Sequence, residues 1–195
     1  MNKLAIVFSI AAGLVQLAGY WIYNKKLASK EINPNATTWV IWGLGSFVAF
    51  ALYKDLANDW VKEFLPFVCA IAALITFAHM MLRGSFQRPD RLDIEMFFLD
   101  AAVVAYWISS NDPISSNVLL EIDIWISFLP ILRSTWFKPE TEDPKPWFIW
   151  SVAYTLLTIA VIMRWDKWWD LLLPVNYLIL HFAIWGIAKF RAARS

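Results

Sequence analysis

Seven apolar runs divide this chain, and its polar residues collect in the gaps between them instead of alternating with apolar ones. The runs are Leu4–Tyr23, Thr37–Tyr53, Phe64–Leu82, Ile94–Ser109, Val118–Thr135, Trp147–Met163 and Trp169–Lys189. Most approach the roughly 17–25 residues that a helix needs to cross the hydrocarbon of a bilayer. Hydrophobic residues make up 59% of the chain, against roughly 45–50% in a soluble domain, so the expected class is an all-α polytopic membrane protein embedded in lipid. The fourth run is the shortest. No gap is long enough to hold a soluble domain.

Basic residues set the expected orientation. Lys25, Lys26 and Lys30, then Arg83, Arg88 and Arg91, then Arg133, Lys138 and Lys145, then Lys189, Arg191 and Arg194 all fall on one side of a seven-span chain, and the remaining few, among them Lys3 and Lys62, on the other. The positive-inside rule then places the N-terminus outside and the C-terminus in the cytoplasm, with a bacterial inner membrane as the expected location. Lys3 ahead of an apolar run ending in Leu17-Ala18-Gly19 also fits a cleaved signal peptide. A retained span is the preferred reading, because Lys25, Lys26 and Lys30 hold a cytoplasmic end.

The chain also repeats. Trp39-Val40-Ile41-Trp42 recurs as Trp147-Phe148-Ile149-Trp150, and Leu65-Pro66 as Leu173-Pro174, both at an offset of 108 residues. Two unlike motifs at one offset point to a duplicated unit, and parallel repeats in a membrane chain place a substrate site at their interface near the mid-plane. Fitted to the spans, residues 1–90 form a first three-helix repeat, 91–112 a linker helix and 113–195 a second three-helix repeat. The linker restores orientation between two copies of odd helix count.

This three-one-three plan has a Pro before a basic turn (Pro130 to Lys138) and a polar, Pro-bearing start to each Trp-rich helix (Asn33-Pro34 and Asp143-Pro144). It resembles the SWEET and PQ-loop transporters, and within them a set of small bacterial membrane proteins. The resemblance implies a carrier with a Trp pair and an Asn pair around its solute; Trp42 and Trp150 match the Trp positions and Asn176 one Asn, while Val68 stands at the other. The PQ dipeptide itself is absent, with Leu17 after Gln16 in one copy and Pro130-Ile131 in the other.

Read without the family, Trp42 and Trp150 offer two flat faces and two N–H donors for a small cyclic solute. Trp39, Trp60, Trp147, Trp165, Trp168 and Trp169 sit near span ends and are expected to be interfacial anchors. Tyr177, His181 and Trp185 recur every four residues on one face of the last helix, with Asn176 beside it, which makes Tyr177, His181 and Asn176 candidate lining groups. Ionisable residues within spans usually face a cavity or a partner. On that ground Asp123 is a candidate for proton coupling and Asp100 a candidate for the same role or for a structural bond. Pro130, inside an apolar run, is the expected hinge.

Several chemistries are not expected. Two isolated His lack metal-ligand spacing, and there is no phosphate-cradling Gly loop, nucleophile elbow or zinc helix. No enzyme activity, metal, cofactor or nucleic-acid partner is expected, and association into a homo-oligomer stays open. The sequence thus reads as a carrier of a small polar or ring-bearing solute, with a receptor or scaffold as the alternative.

Overall fold

The computed structural model describes residues 2–83, 88–110 and 112–192, with Ala36, Thr37, Asp100, Pro113 and Ala192 described in their backbone alone. Among the described residues eight α-helices follow one another: α1 (Lys3–Ala28), α2 (Ala36–Ala57), α3 (Trp60–Arg83), α4 (Arg91–Ser110), α5 (Pro113–Ser127), α6 (Leu129–Phe137), α7 (Pro144–Met163) and α8 (Leu172–Ala192). Short 3-10 turns at Pro139–Thr141 and Trp168–Leu171 precede α7 and α8, and no strand occurs among the described residues.

Six helical stretches are long and apolar enough to cross a membrane: Lys3–Ala28, Thr38–Ala57, Trp60–Arg83, Ile114–Phe137, Pro144–Met163 and Trp168–Arg191. Such stretches are what an integral membrane protein requires. The stretch expected as the fourth span, α4, is not among them. Its first half carries Arg91, Asp93, Glu95 and Asp100, which dilute an otherwise apolar sequence.

Local chemistry starts and stops these helices. The Asn2 side chain accepts from the N–H groups of Leu4 and Ala5 at the start of α1, and Lys25 and Lys26 occupy its last turn, where cations favour the helix dipole. Asn35 caps α2 through the Thr38 N–H, and Asp143 caps α7 through the Lys145 N–H. These two caps stand 108 residues apart, the same offset as the Trp motifs. At Asn58 the chain leaves α2 in the left-handed conformation (φ 42°), which Asn tolerates better than most residues.

The α5–α6 stretch is interrupted at Phe128, two residues ahead of Pro130. Proline there has no N–H to offer and its ring crowds the carbonyl one turn back, which is enough to divide the helix.

Packing follows the placement of small residues. On α1, Ala5, Ser9, Ala12, Gln16, Gly19, Tyr23 and Leu27 recur every three or four residues and are all buried, while Val7, Leu14 and Trp21 face outward and stay exposed. Apolar side chains on both faces suit lipid on one side and protein on the other. In lipid, close approach of backbones past small residues drives helix association, and α1 packs this way on α7 and α3. Helix α3 lies against α1 and α2, α8 lies against α7 and the α5–α6 stretch, α2 meets α5, and α4 rests on α5 and α2.

Ion pairs fasten both ends. At the end where α1 begins, Lys62 Nζ lies 2.5 Å from Asp170 Oδ2 with both side chains almost fully buried, and Arg164 pairs with Asp59. The Asp170 carbonyl also accepts from the Tyr53 hydroxyl at 2.6 Å. At the other end Lys26 pairs with Asp143 and Glu31, and Arg133 with Asp90.

Removing one partner of a buried pair strands the other charge, at about 3–5 kcal/mol. Lys62→Met is therefore expected to lower unfolding stability in detergent by about that amount, and Lys62→Met with Asp170→Leu to recover most of the loss. Equal losses in the single and double variants would show that the pair does not hold this end.

Candidate functional site

Where α1, α2, α7 and α8 converge with the α5–α6 stretch, aromatic rings fill the interior. Trp39, Trp147 and Trp150 are at most 1% exposed and Trp42 is 8% exposed. Their contacts come in pairs that the 108-residue offset exchanges. Trp39 meets Trp150 at 6.3 Å between ring centroids, and Trp147 meets Trp42 at 5.8 Å. Tyr20 meets Trp150 at 5.0 Å, and Phe128 meets Trp42 at 4.3 Å. The offset also links Lys62 to Asp170, which touch each other directly.

A glycine makes room for one wall. A Cβ at Gly19 would overlap the indole of Trp150, so the bare backbone of α1 lets the N–H edge of that ring approach it closely. Trp150 Nε1 then donates to the Gln16 carbonyl at 3.2 Å. Trp39 Nε1 donates to the Tyr23 hydroxyl at 3.2 Å, and Trp147 Nε1 to Glu142 Oε2 at 3.0 Å. Three indoles are thus satisfied. Trp42 Nε1 and Gln16 Oε1 have no hydrogen-bond partner among the described residues, and both residues line the small central cavity.

That cavity is about 10 Å³ and is bounded by Gln16, Tyr20, Trp42, Trp150, Tyr177 and His181 among others. It is about the size of one water molecule. His181 Nδ1 lies 2.6 Å from the Tyr177 carbonyl; a carbonyl only accepts, so Nδ1 carries a hydrogen.

The expected lining residues Trp42, Trp150, Tyr177 and His181 therefore meet around one cavity. Asn176 does not join them. It donates to Glu121 Oε2 at 2.6 Å and borders a separate, more open pocket of about 250 Å³ with Trp125, Trp168 and Leu172. Asp123 is buried on α5 and is not part of the central lining. The Asp100 side chain lies outside the described residues. Pro130 is buried and borders a polar pocket with Asn35, Asp93 and Arg133. Among the described residues no cluster of His, Cys, Asp or Glu could hold a metal ion.

Two of the expected anchors are corrected. Trp39 and Trp147 are 0% exposed and belong to the buried aromatic cluster, whereas Trp60, Trp165 and Trp168 are about half exposed at helix ends, as anchors would be. Proximity to a span end was a poor guide because Tyr23 of α1 and Glu142 reach in to cover both rings.

Glu142 is the residue that sequence reading missed. It follows the Pro139–Thr141 turn, is 4% exposed, and accepts from the Tyr23 hydroxyl at 3.1 Å as well as from Trp147. Burial, with a smaller contribution from Asp143, pushes its carboxyl up from 4.5 to about 8, although the two donors pull the other way. A protein-family model, a curated protein or a solved structure that matches this chain was not found.

The Glu142 shift has a definite sign. A carboxyl whose folded value is raised holds its proton more tightly when folded, so its contribution to stability is full below 4.5 and is lost as pH rises to about 8. The melting temperature in detergent is expected to fall across that window, and Glu142→Gln to flatten the fall. An unchanged slope in the variant would mean that the carboxyl is not held protonated.

Proposed function

We propose that the protein is a membrane carrier for a small polar or ring-bearing solute, which passes through the aromatic box as two three-helix units rock about it. The single observation that carries this reading is the exchange of aromatic contacts under the 108-residue offset, with both exchanged sets meeting around one cavity. Parallel repeats of membrane carriers place their solute on such an axis. Helices α1–α3 form one unit, α4 the connecting crossing, and the α5–α6 stretch with α7 and α8 the other. This is the plan of the SWEET-like resemblance, with the N-terminus outside and a bacterial inner membrane as the setting.

The box is closed in the described conformation. A bound solute needs roughly 300–1,000 Å³, far more than the 10 Å³ present, and ion pairs fasten both ends. That is the arrangement of a carrier between its two open states, in which the broken helix at Phe128 and Pro130 supplies the hinge and Asp123 is retained as a second protonatable group. The tight packing equally suits a receptor or scaffold on the same fold.

Trp42 Nε1 separates the two. Its donor has no partner to lose, so Trp42→Phe should leave the melting temperature unchanged or slightly raised, since an unsatisfied buried donor costs about 1–3 kcal/mol. The same change should weaken solute-dependent thermal stabilisation about tenfold in a screen of sugars, nucleosides, vitamins and amino acids. Absence of any stabilising solute, with no uptake into proteoliposomes, would reject the carrier in favour of the scaffold.

A further inference from the structure

The end of the box nearest Lys26 and Asp143 is closed by a carboxylate. Glu142 touches two walls at once, through the Tyr23 hydroxyl of α1 and the Trp147 indole of α7. Tyr23 is itself in contact with Trp39 and Trp150, at 5.0 and 5.5 Å between centroids. Among the described residues no Lys, Arg or His lies within ion-pair distance of Glu142. The cations nearby are engaged elsewhere: Lys26 is held by Asp143 and Glu31, and Arg133 by Asp90. Lys138 and Glu140 on the flanking turn, and Lys189 on α8, are exposed, while His181 of α8 meets Trp147 at 5.4 Å between ring centroids.

A buried carboxylate with no counter-ion among the described residues, bonded to one indole and one phenol at the edge of a four-indole cluster, has a specific chemical meaning. Aromatic faces attract cations through the ring quadrupole, best of all the indole, and by about 2 kcal/mol or more where water is excluded. Sugars and other neutral rings would use the faces but give the carboxylate nothing to balance. Resting on the carrier reading above, we infer that the solute is a small organic monocation, an amine or quaternary ammonium carried on a ring, taken into the box against Glu142 in exchange for one proton.

The exchange balances. The arriving cation stabilises the ionised carboxyl, the proton leaves Glu142 for water on the open side, and a proton is taken up again when the cation departs on the other side. One positive charge moves each way, so a full cycle moves no net charge. The raised carboxyl of Glu142 means that the empty site holds its proton at neutral pH. Trp42 Nε1 and Gln16 Oε1, buried and unpartnered on the cavity wall, supply one donor and one acceptor for a polar group on the ring.

The test uses the full chain in detergent and in proteoliposomes, with 1-methylnicotinamide, methylated on the ring nitrogen, as the cationic probe and nicotinamide as its neutral counterpart. The cation is expected to raise the melting temperature and to bind about tenfold more tightly per pH unit up to about pH 8, then level off. Binding at pH 6 in weakly buffered solution should release close to one proton per cation, roughly the full exchange. Nicotinamide should bind at least about tenfold more weakly and release none. Glu142→Gln keeps one acceptor oxygen for the Trp147 indole and turns its NH2 to the Tyr23 hydroxyl, which can accept, and should abolish both the pH dependence and the proton release. Equal binding of the two probes, or cation binding without proton release in the unaltered protein, overturns the inference whether or not the variant folds. Uptake of neutral rings with no cation response would overturn it and leave the carrier standing. Cation binding with proton release, but without uptake of any solute, would uphold the site and remove the carrier.

Discussion

Four indoles cannot be buried at one point in a helical protein unless their N–H groups are answered and their planes find room, and the interior of this chain is arranged around meeting both demands. Gly19 gives up its side chain so that Trp150 can lie on α1. Gln16 answers that ring with a backbone carbonyl, Tyr23 answers Trp39, and Glu142 answers Trp147. Each aromatic contact is worth about 0.5–1.5 kcal/mol beyond area burial. An unanswered donor would cost more than that. Helices α1 and α7 are brought to close approach by small residues and then fixed in register by these bonds.

The fourth indole is the exception, and it is where structure turns toward function. Trp42 faces a cavity the size of one water with its donor unengaged, and Gln16 Oε1 is left likewise. A protein selected for stability alone has no need of unsatisfied buried groups, since replacing them by apolar ones is neutral or favourable. In the carrier proposed above, such groups are the ones a ligand would engage. Glu142 is not in that lining; it bonds Tyr23 and Trp147, whose rings pack against Trp150, and ion pairs join helices at both ends.

The sequence announced the helices better than the site. Apolar runs located the long helices to within a few residues, although α1 extends to Ala28 and α3 starts at Trp60 because amphipathic ends continue past the apolar centre. The linker α4 looked like a span by its apolar residues, but its charges leave it short of the others. Trp42 and Trp150 were legible through the repeat, and Tyr177 and His181 through their four-residue spacing. Asn176 lay beside that face, not on it, and one side-chain bond to Glu121 takes it elsewhere. Trp39, Trp147 and Glu142 were illegible for one reason: their burial is made by Tyr23, which lies 119 residues from Glu142 and in a different helix. No local pattern records a contact of that range.

The central claim is that the two units separate around the box, and a distance between them tests it most directly. Spin labels at Lys30 and Lys145, both exposed and one on each unit, with the buried Cys69 replaced by Ala, report that separation by pulsed electron resonance in liposomes. Two distance populations whose proportions change between pH 5 and pH 9, roughly spanning the Glu142 transition, are predicted. A single narrow distance, the same at every pH and with every solute, would contradict the account.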